Sequence, residues 1–308
     1  MGETMRDAFG KRLAELGSGR KDLVVLDADV SSSTKSSHFA KAFPSRFFNV
    51  GVAEANMVDV AAGLATAGFR PVVNAFAIFL ALKGTDQIRN VLAYNSLPVV
   101  LAGAYGGLSD SFDGASHQSL ADIAIMRSLP GLEVLVPSDA AEARRALDFA
   151  LGRDGPVYIR LSRNENPPLP IRPATESVGK IRTLRSGSDL TIAATGLCVS
   201  MALAAAEALA VAGVSAEVLD VASIKPLDLA SLVASVAKTG RLVTAEEHNI
   251  VGGLGGACAE ALAETGLNFR LARVGIQDRY TESGPYEALL AKYGVSPAAI
   301  VSRAESLI

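Results

Sequence analysis

Residues 49–79 read NVGVAEANMVDVAAGLATAGFRPVVNAFAIF, a helix-like segment followed by a strand-like one. Residues 54–67 are alanine-rich with apolar positions at helical spacing, which predicts a helix opened by Glu54. Pro71-Val72-Val73 is short, apolar and β-branched, which predicts a buried strand. The same alternation recurs on either side. Leu23-Val24-Val25-Leu26, Leu97-Pro98-Val99-Val100-Leu101, Glu133-Val134-Leu135-Val136 and Val157-Tyr158-Ile159 read as strands, and residues 120–127 and 140–151 as helices. Continuous apolar strands alternating with helices imply a parallel sheet covered on both faces, the α/β class.

The texture changes at residues 164–187. NENPPLPIRP, residues 164–173, holds four of the chain's 13 prolines, which excludes helix and central strand. A second series of strands follows at Leu190-Thr191-Ile192-Ala193, Ala216-Glu217-Val218-Leu219, Leu242-Val243-Thr244 and Phe269-Arg270-Leu271, each leading into a helical stretch. The expected plan is two α/β domains, residues 1–163 and 188–308, joined by a linker at 164–187. A length of 308 residues suits two domains.

Composition narrows the functional classes. Twenty-nine Lys+Arg against 32 Asp+Glu leave a net charge of −3 and no basic footprint for nucleic acid. The two uncharged stretches, 90–109 and 190–206, are interrupted by Pro98 and by Thr195-Gly196, so neither predicts a membrane span. Two cysteines, Cys198 and Cys258, cannot form a disulfide framework or a structural zinc site, and with no signal-peptide pattern a cytoplasmic protein is expected. No Walker A, GxSxG or HExxH motif is present. The glycine run at 251–256, VGGLGG, lacks dinucleotide-loop spacing and reads as close packing at a helix start.

Three features carry polar chemistry. Glu54 opens a helix directly after a strand, Phe76 and Phe79 stand three apart, and DGASHQ (113–118) is a polar turn with one of only three histidines. Singly, each has an ordinary structural reading: a first-turn carboxylate, a core pair, a capping residue. In this order and spacing, with Asp27-Ala28-Asp29 before them and Ile159-Arg160-Leu161-Ser162-Arg163 after, they resemble the pyrimidine-binding domain of transketolases. Ala245-Glu246-Glu247-His248 and Glu282-Ser283-Gly284-Pro285 resemble the transketolase C-terminal domain. No Gly-Asp-Gly, the start of the family's diphosphate and metal motif, occurs in the chain.

The resemblance implies the C-terminal subunit of a split, thiamine-diphosphate-dependent transketolase. Such a subunit transfers a two-carbon ketol unit from a ketose to an aldose. It also implies an N-terminal companion that holds the diphosphate through Mg2+ (or Ca2+ or Mn2+), with no metal ligands on this chain, and an α2β2 heterotetramer. The chain alone is expected to be inactive and to self-associate. Carried over by residue, Glu54 matches the glutamate bonding N1′ of the aminopyrimidine, and Phe76 and Phe79 match its aromatic wall, with Leu82 in place of a third aromatic. Asp29 matches a cofactor-proximal aspartate. Asp113 and His117 match readers of sugar hydroxyls, with His117 suited to proton transfer. Arg6, Ser33 and Arg163 match the anion site of sugar phosphates. Tyr105 stands where a histidine is usual and Phe112 where an acidic residue is, which leaves phosphate, sulfonate and branched-sugar phosphate acceptors open. Two rival readings share the plan: the β subunit of a 2-oxoacid dehydrogenase and a non-catalytic relative. Deoxyxylulose-phosphate synthases are longer single chains with their own GDG motif.

Overall fold

The computed structural model describes residues 2–170, 173 and 176–308. Twelve strands are present among these residues: β1 Leu23–Asp27, β2 Phe47–Asn49, β3 Arg70–Phe76, β4 Val100–Ala104, β5 Glu133–Leu135 and β6 Val157–Leu161, then β7 Arg182–Arg185, β8 Leu190–Ala194, β9 Ala216–Asp220, β10 Ser223–Lys225, β11 Arg241–Asn249 and β12 Arg270–Ile276. They form a seven-stranded sheet in the order β10-β5-β6-β4-β3-β1-β2 and a five-stranded sheet in the order β12-β11-β8-β9-β7. The central strands are buried along their full length, as strands covered by helices on both faces must be. The α/β class and the two-sheet plan are as the sequence implies.

Both sheets depart from purely parallel pairing at one edge. β7 lies inside the 164–187 stretch and pairs antiparallel with β9. β10, although it follows β9 in the chain, leaves the second sheet and pairs antiparallel with β5 of the first. The proline-rich strap is described only in part, since residues 171, 172, 174 and 175 lie outside the described residues. The strand read at 97–101 begins only at Val100; Pro98 has no amide to give to a ladder. The helix read at 120–127 runs Asp122–Ser128.

One apolar cluster joins the halves. Met57, Val73, Leu101 and Tyr158 of the first domain share it with Ala193, Leu219 and Leu254 of the second and with Ile224 of β10. Gly252 serves that contact, since a β carbon there would sit 2.6 Å from that of Ala124, while one at Gly253 would collide with the Glu246 carboxylate of its own domain. No described helix is long and apolar enough to cross a membrane.

Candidate active site

Parallel α/β sheets present their chain ends at one edge, and that edge is where ligands bind. In the first sheet, β2 leads to Glu54, β3 to Phe76 and Phe79, β4 to Tyr105 and the 113–118 turn, and β6 to Arg163. Asp29 and Ser33 follow β1, and Arg6 enters from the first turn of helix Met5–Gly19, which Thr4 caps.

Glu54 begins helix Glu54–Thr66, whose preceding residue, Ala53, makes no side-chain cap. Its carboxylate therefore lies at the positive end of the helix, only 3% exposed. Phe76 ends β3 and helix Ala77–Lys83 starts at the next residue, so no loop separates Phe76 from Phe79. Their rings are 6.0 Å apart at 38°. His117 stands edge-on to Phe79 at 5.1 Å and to Phe76 at 6.2 Å. Ser116 Oγ lies 2.9 Å from His117 Nδ1.

The structure thus groups Phe76, Phe79 and His117, and a residue that sequence reading missed ties Glu54 to them. Lys83 Nζ lies 3.2 and 3.1 Å from the two Glu54 carboxylate oxygens and 4.3 Å from the Phe79 ring centroid. Its signal was helical spacing: positions 79 and 83 share a helix face. Leu82 on the same helix is exposed and, with Ile78, lines a cavity of about 550 Å³.

A second group surrounds Tyr105. This residue sits in the left-handed region at φ 62°, uncommon for a bulky side chain, and is 4% exposed. Phe76 packs on it edge-to-face at 4.5 Å. Arg6 donates 2.7 Å to its hydroxyl and 2.8 Å to the Ser33 carbonyl, so Ser33 enters through its backbone. Arg163 lies 5.1 Å from the Tyr105 ring and donates 2.8 Å to Asp110. Burial, with Asp113 nearby, pushes the Asp110 carboxyl above its usual range, against the pull of Arg163. Arg6 Nε and Asp110 Oδ2 are buried without a hydrogen-bond partner among the described residues. Buried polar atoms of this kind call for a ligand or water.

Asp113 is exposed on its turn beside exposed Phe112. Asp29 is also exposed, at φ 64°, and accepts 2.8 Å from Asn49. Its neighbour Asp27 is buried and holds the loop, accepting from the Val30 amide at 2.6 Å and the Ser36 hydroxyl at 2.8 Å. Among the described residues no group of three or more His, Cys, Asp or Glu side chains could hold a metal ion.

Two family descriptions match this chain: transketolase, pyrimidine binding domain, over residues 2–168, and transketolase, C-terminal domain, over residues 179–300. The chain belongs to the transketolase family. It is 44% identical to a solved structure described as a split gene transketolase, inactive beta4 tetramer, with a TM-score of 0.90 over 100% of this chain and 98% of that one. It is 40% identical to the 6-deoxy-6-sulfo-D-fructose transketolase subunit SqwH of Clostridium sp. strain MSTE9, over 98% of this chain and 94% of the relative. It is 37% identical to 1-deoxy-D-xylulose-5-phosphate synthase 1 of Geobacter sulfurreducens, over 97% of this chain but only 47% of that protein. Within the transketolase family the chain corresponds to the C-terminal subunit of the split form, and membership implies dependence on thiamine diphosphate.

Proposed function

We propose that this transketolase subunit transfers a two-carbon ketol unit between anionic sugars, and does so only when joined to a separate N-terminal subunit. The observation that carries the reading is the buried Glu54 carboxylate at a helix start, joined through Lys83 to Phe79, whose ring neighbours are Phe76 and His117. A half-exposed aromatic pair beside a buried carboxylate fits a flat, protonatable ring such as an aminopyrimidine. Thiamine diphosphate, when bound, would supply the nucleophilic carbon for attack on the ketose carbonyl.

Glu54 holds a proton at the pyrimidine N1′, and burial strengthens that bond by excluding water. Phe76 and Phe79 orient the ring. Asp113 and His117 read sugar hydroxyls, and His117 moves a proton at the reacting oxygen. Arg6 and Arg163 offer forked donors to the substrate anion beside Tyr105 and Ser33, and the orphaned Arg6 Nε supports that seat. Asp29 faces the companion near the cofactor.

The companion holds the diphosphate through Mg2+ or a similar cation, and two copies of each subunit make an α2β2 heterotetramer. Alone, the chain forms an inactive homo-oligomer; the 44%-identical split gene transketolase, an inactive beta4 tetramer, supports that expectation. Residues 1–163 carry the pyrimidine site, residues 188–308 the C-terminal domain and residues 164–187 the connection. The two cysteines are free and buried, which supports a reducing, cytoplasmic setting.

The test is to purify the chain with its companion and assay ketol transfer with thiamine diphosphate and magnesium. Each subunit alone and the mixture would be run on phosphorylated, sulfonated and uncharged sugars. Activity confined to the mixture, with anionic sugars preferred, is expected. Decarboxylation of a 2-oxoacid without ketol transfer would move the chain to the dehydrogenase reading, and silence on both to the non-catalytic one.

A further inference from the structure

The loop from Tyr105 to Gln118 carries Asp113 and His117, yet much of what holds it comes from the other domain. Near its start, the Leu108 amide donates 2.7 Å to Oε1 of Glu247, which is buried on β11. In its middle, the Gly284 amide donates 3.0 Å to the Ser111 carbonyl. Just beyond its end, the Asn249 amide donates 3.0 Å to the Leu120 carbonyl.

The tightest fixing is Gln118, 2% exposed. The Thr281 hydroxyl donates to Gln118 Oε1. Gln118 Nε2 donates 3.0 Å to the Glu282 carbonyl and 3.4 Å to the Ser111 carbonyl. One amide thus ties two points of the loop to one segment of the second domain, and exchanging its donor and acceptor ends would break both bonds to carbonyls, which fixes Oε1 towards the Thr281 hydroxyl. Gly114, at φ 77°, lies against Ser283, where a β carbon would meet the serine hydroxyl.

We propose that Gln118 and Thr281 are positioning residues through which the C-terminal domain holds the Asp113–His117 turn beside Phe79, in the arrangement that reads sugar hydroxyls. This rests on the roles given above to Asp113 and His117. The second domain then contributes to sugar selection without touching the sugar. Losing the Thr281 hydroxyl would leave Gln118 Oε1 buried and unsatisfied, and the turn would open to satisfy it with water.

The experiment pairs Thr281→Val, which keeps the shape, with Thr281→Ser, which keeps the hydroxyl. Gln118→Met serves as a second way to cut the tie. Hydrogen exchange at residues 111–118 is followed in the chain alone and in the assembled enzyme, beside KM and kcat for ketol transfer. Protection in that segment should fall about three- to tenfold in Thr281→Val and Gln118→Met. KM should rise by a similar factor with kcat less affected, and Thr281→Ser should restore both. Unchanged local protection, an unchanged KM, or a loss of protection spread evenly over the chain would each overturn the proposal. If the wild-type mixture shows no ketol transfer, the functional reading fails, and the exchange data alone decide whether the clamp exists.

Discussion

At the carboxyl end of β3, Phe76 and Phe79 stand half-buried and Lys83 exposed beside Glu54. At the carboxyl end of β11, Glu246, Glu247 and His248 are all buried, and protein groups meet them. Glu246 accepts from the Leu254 and Gly255 amides at 2.6 and 2.9 Å, Glu247 from the Leu108 amide, and His248 Nδ1 lies 2.7 Å from the Asn249 carbonyl. Below them Arg160 donates 2.8 Å to Asp122 and 2.9 Å to the Glu247 carbonyl. Similar residue types at equivalent edges have diverged in use. The first edge leaves its aromatic pair half-exposed, with Glu54 covered only by the exposed Lys83, while the second spends Glu246 on its own helix start and Glu247 on the Leu108 amide of the first domain. A polar cluster at a strand end is therefore evidence of a site only where the packing leaves it accessible.

The widest separation between the two edges should appear with Glu54→Gln. Turnover of the assembled enzyme should drop by about 10²–10⁴-fold, the contribution of a positioned acid–base group, with melting temperature near wild type. Near-normal turnover would erase the contrast. The mirror image is Arg160→Met, which strands the buried Asp122 carboxylate. Burial opposes the charge on Asp122, but Arg160 holds its carboxyl below the usual range. Losing that partner should cost roughly 3–5 kcal/mol of stability, read by denaturant unfolding. A change under about 1 kcal/mol would mean that the Arg160–Asp122 pair beneath the second edge is not structural.

Next in size is a pH effect. Burial raises the Glu246 and Glu247 carboxyls to about 7 and lowers His248 to about 4. Unfolding returns the carboxyls to about 4.5, so between those values the unfolded chain has released protons that the folded chain keeps. Their contribution therefore falls as pH rises from 4.5 to 7. His248 works the other way, since below 6.5 the unfolded chain binds a proton that the folded chain refuses. Two carboxyls outweigh one imidazole, so stability should decline by roughly 1 kcal/mol per pH unit across that window. Melting temperatures from pH 4.5 to 7.5 read the slope, and Glu247→Gln should flatten it. A rising curve would overturn the account of the second edge. The smallest effect belongs to Arg163→Ala, which should weaken anionic sugars about tenfold more than neutral ones. Equal losses would place Arg163 among the structural arginines.

Much of the first edge was legible because each of its groups sits at a strand or helix end that local pattern marks. Helix Glu54–Thr66 matches the stretch read from alanine content and apolar spacing to within one residue. The structure brings Phe76, Phe79 and His117 together, a grouping the sequence offered only through the family resemblance. Lys83 was missed because a lysine at a helix end is ordinarily a solvated cap, and nothing local pairs it with a carboxylate 29 residues earlier. The set at Glu246, Glu247 and His248 was legible only as a family resemblance; its burial follows from the apolar cluster shared by both sheets.

The sequence by itself determined the α/β class, the two series of strands, and which residue types stand at the strand ends. Those features are written in apolar runs of strand length and in a period of 3.6 residues, within the reach of one element. Only the tertiary structure decided that β10 completes the first sheet, that Lys83 meets Glu54, and that Thr281 holds Gln118 across 163 residues of chain. Such contacts form when two separately built sheets settle against each other, and their geometry depends on the volume of every side chain between them.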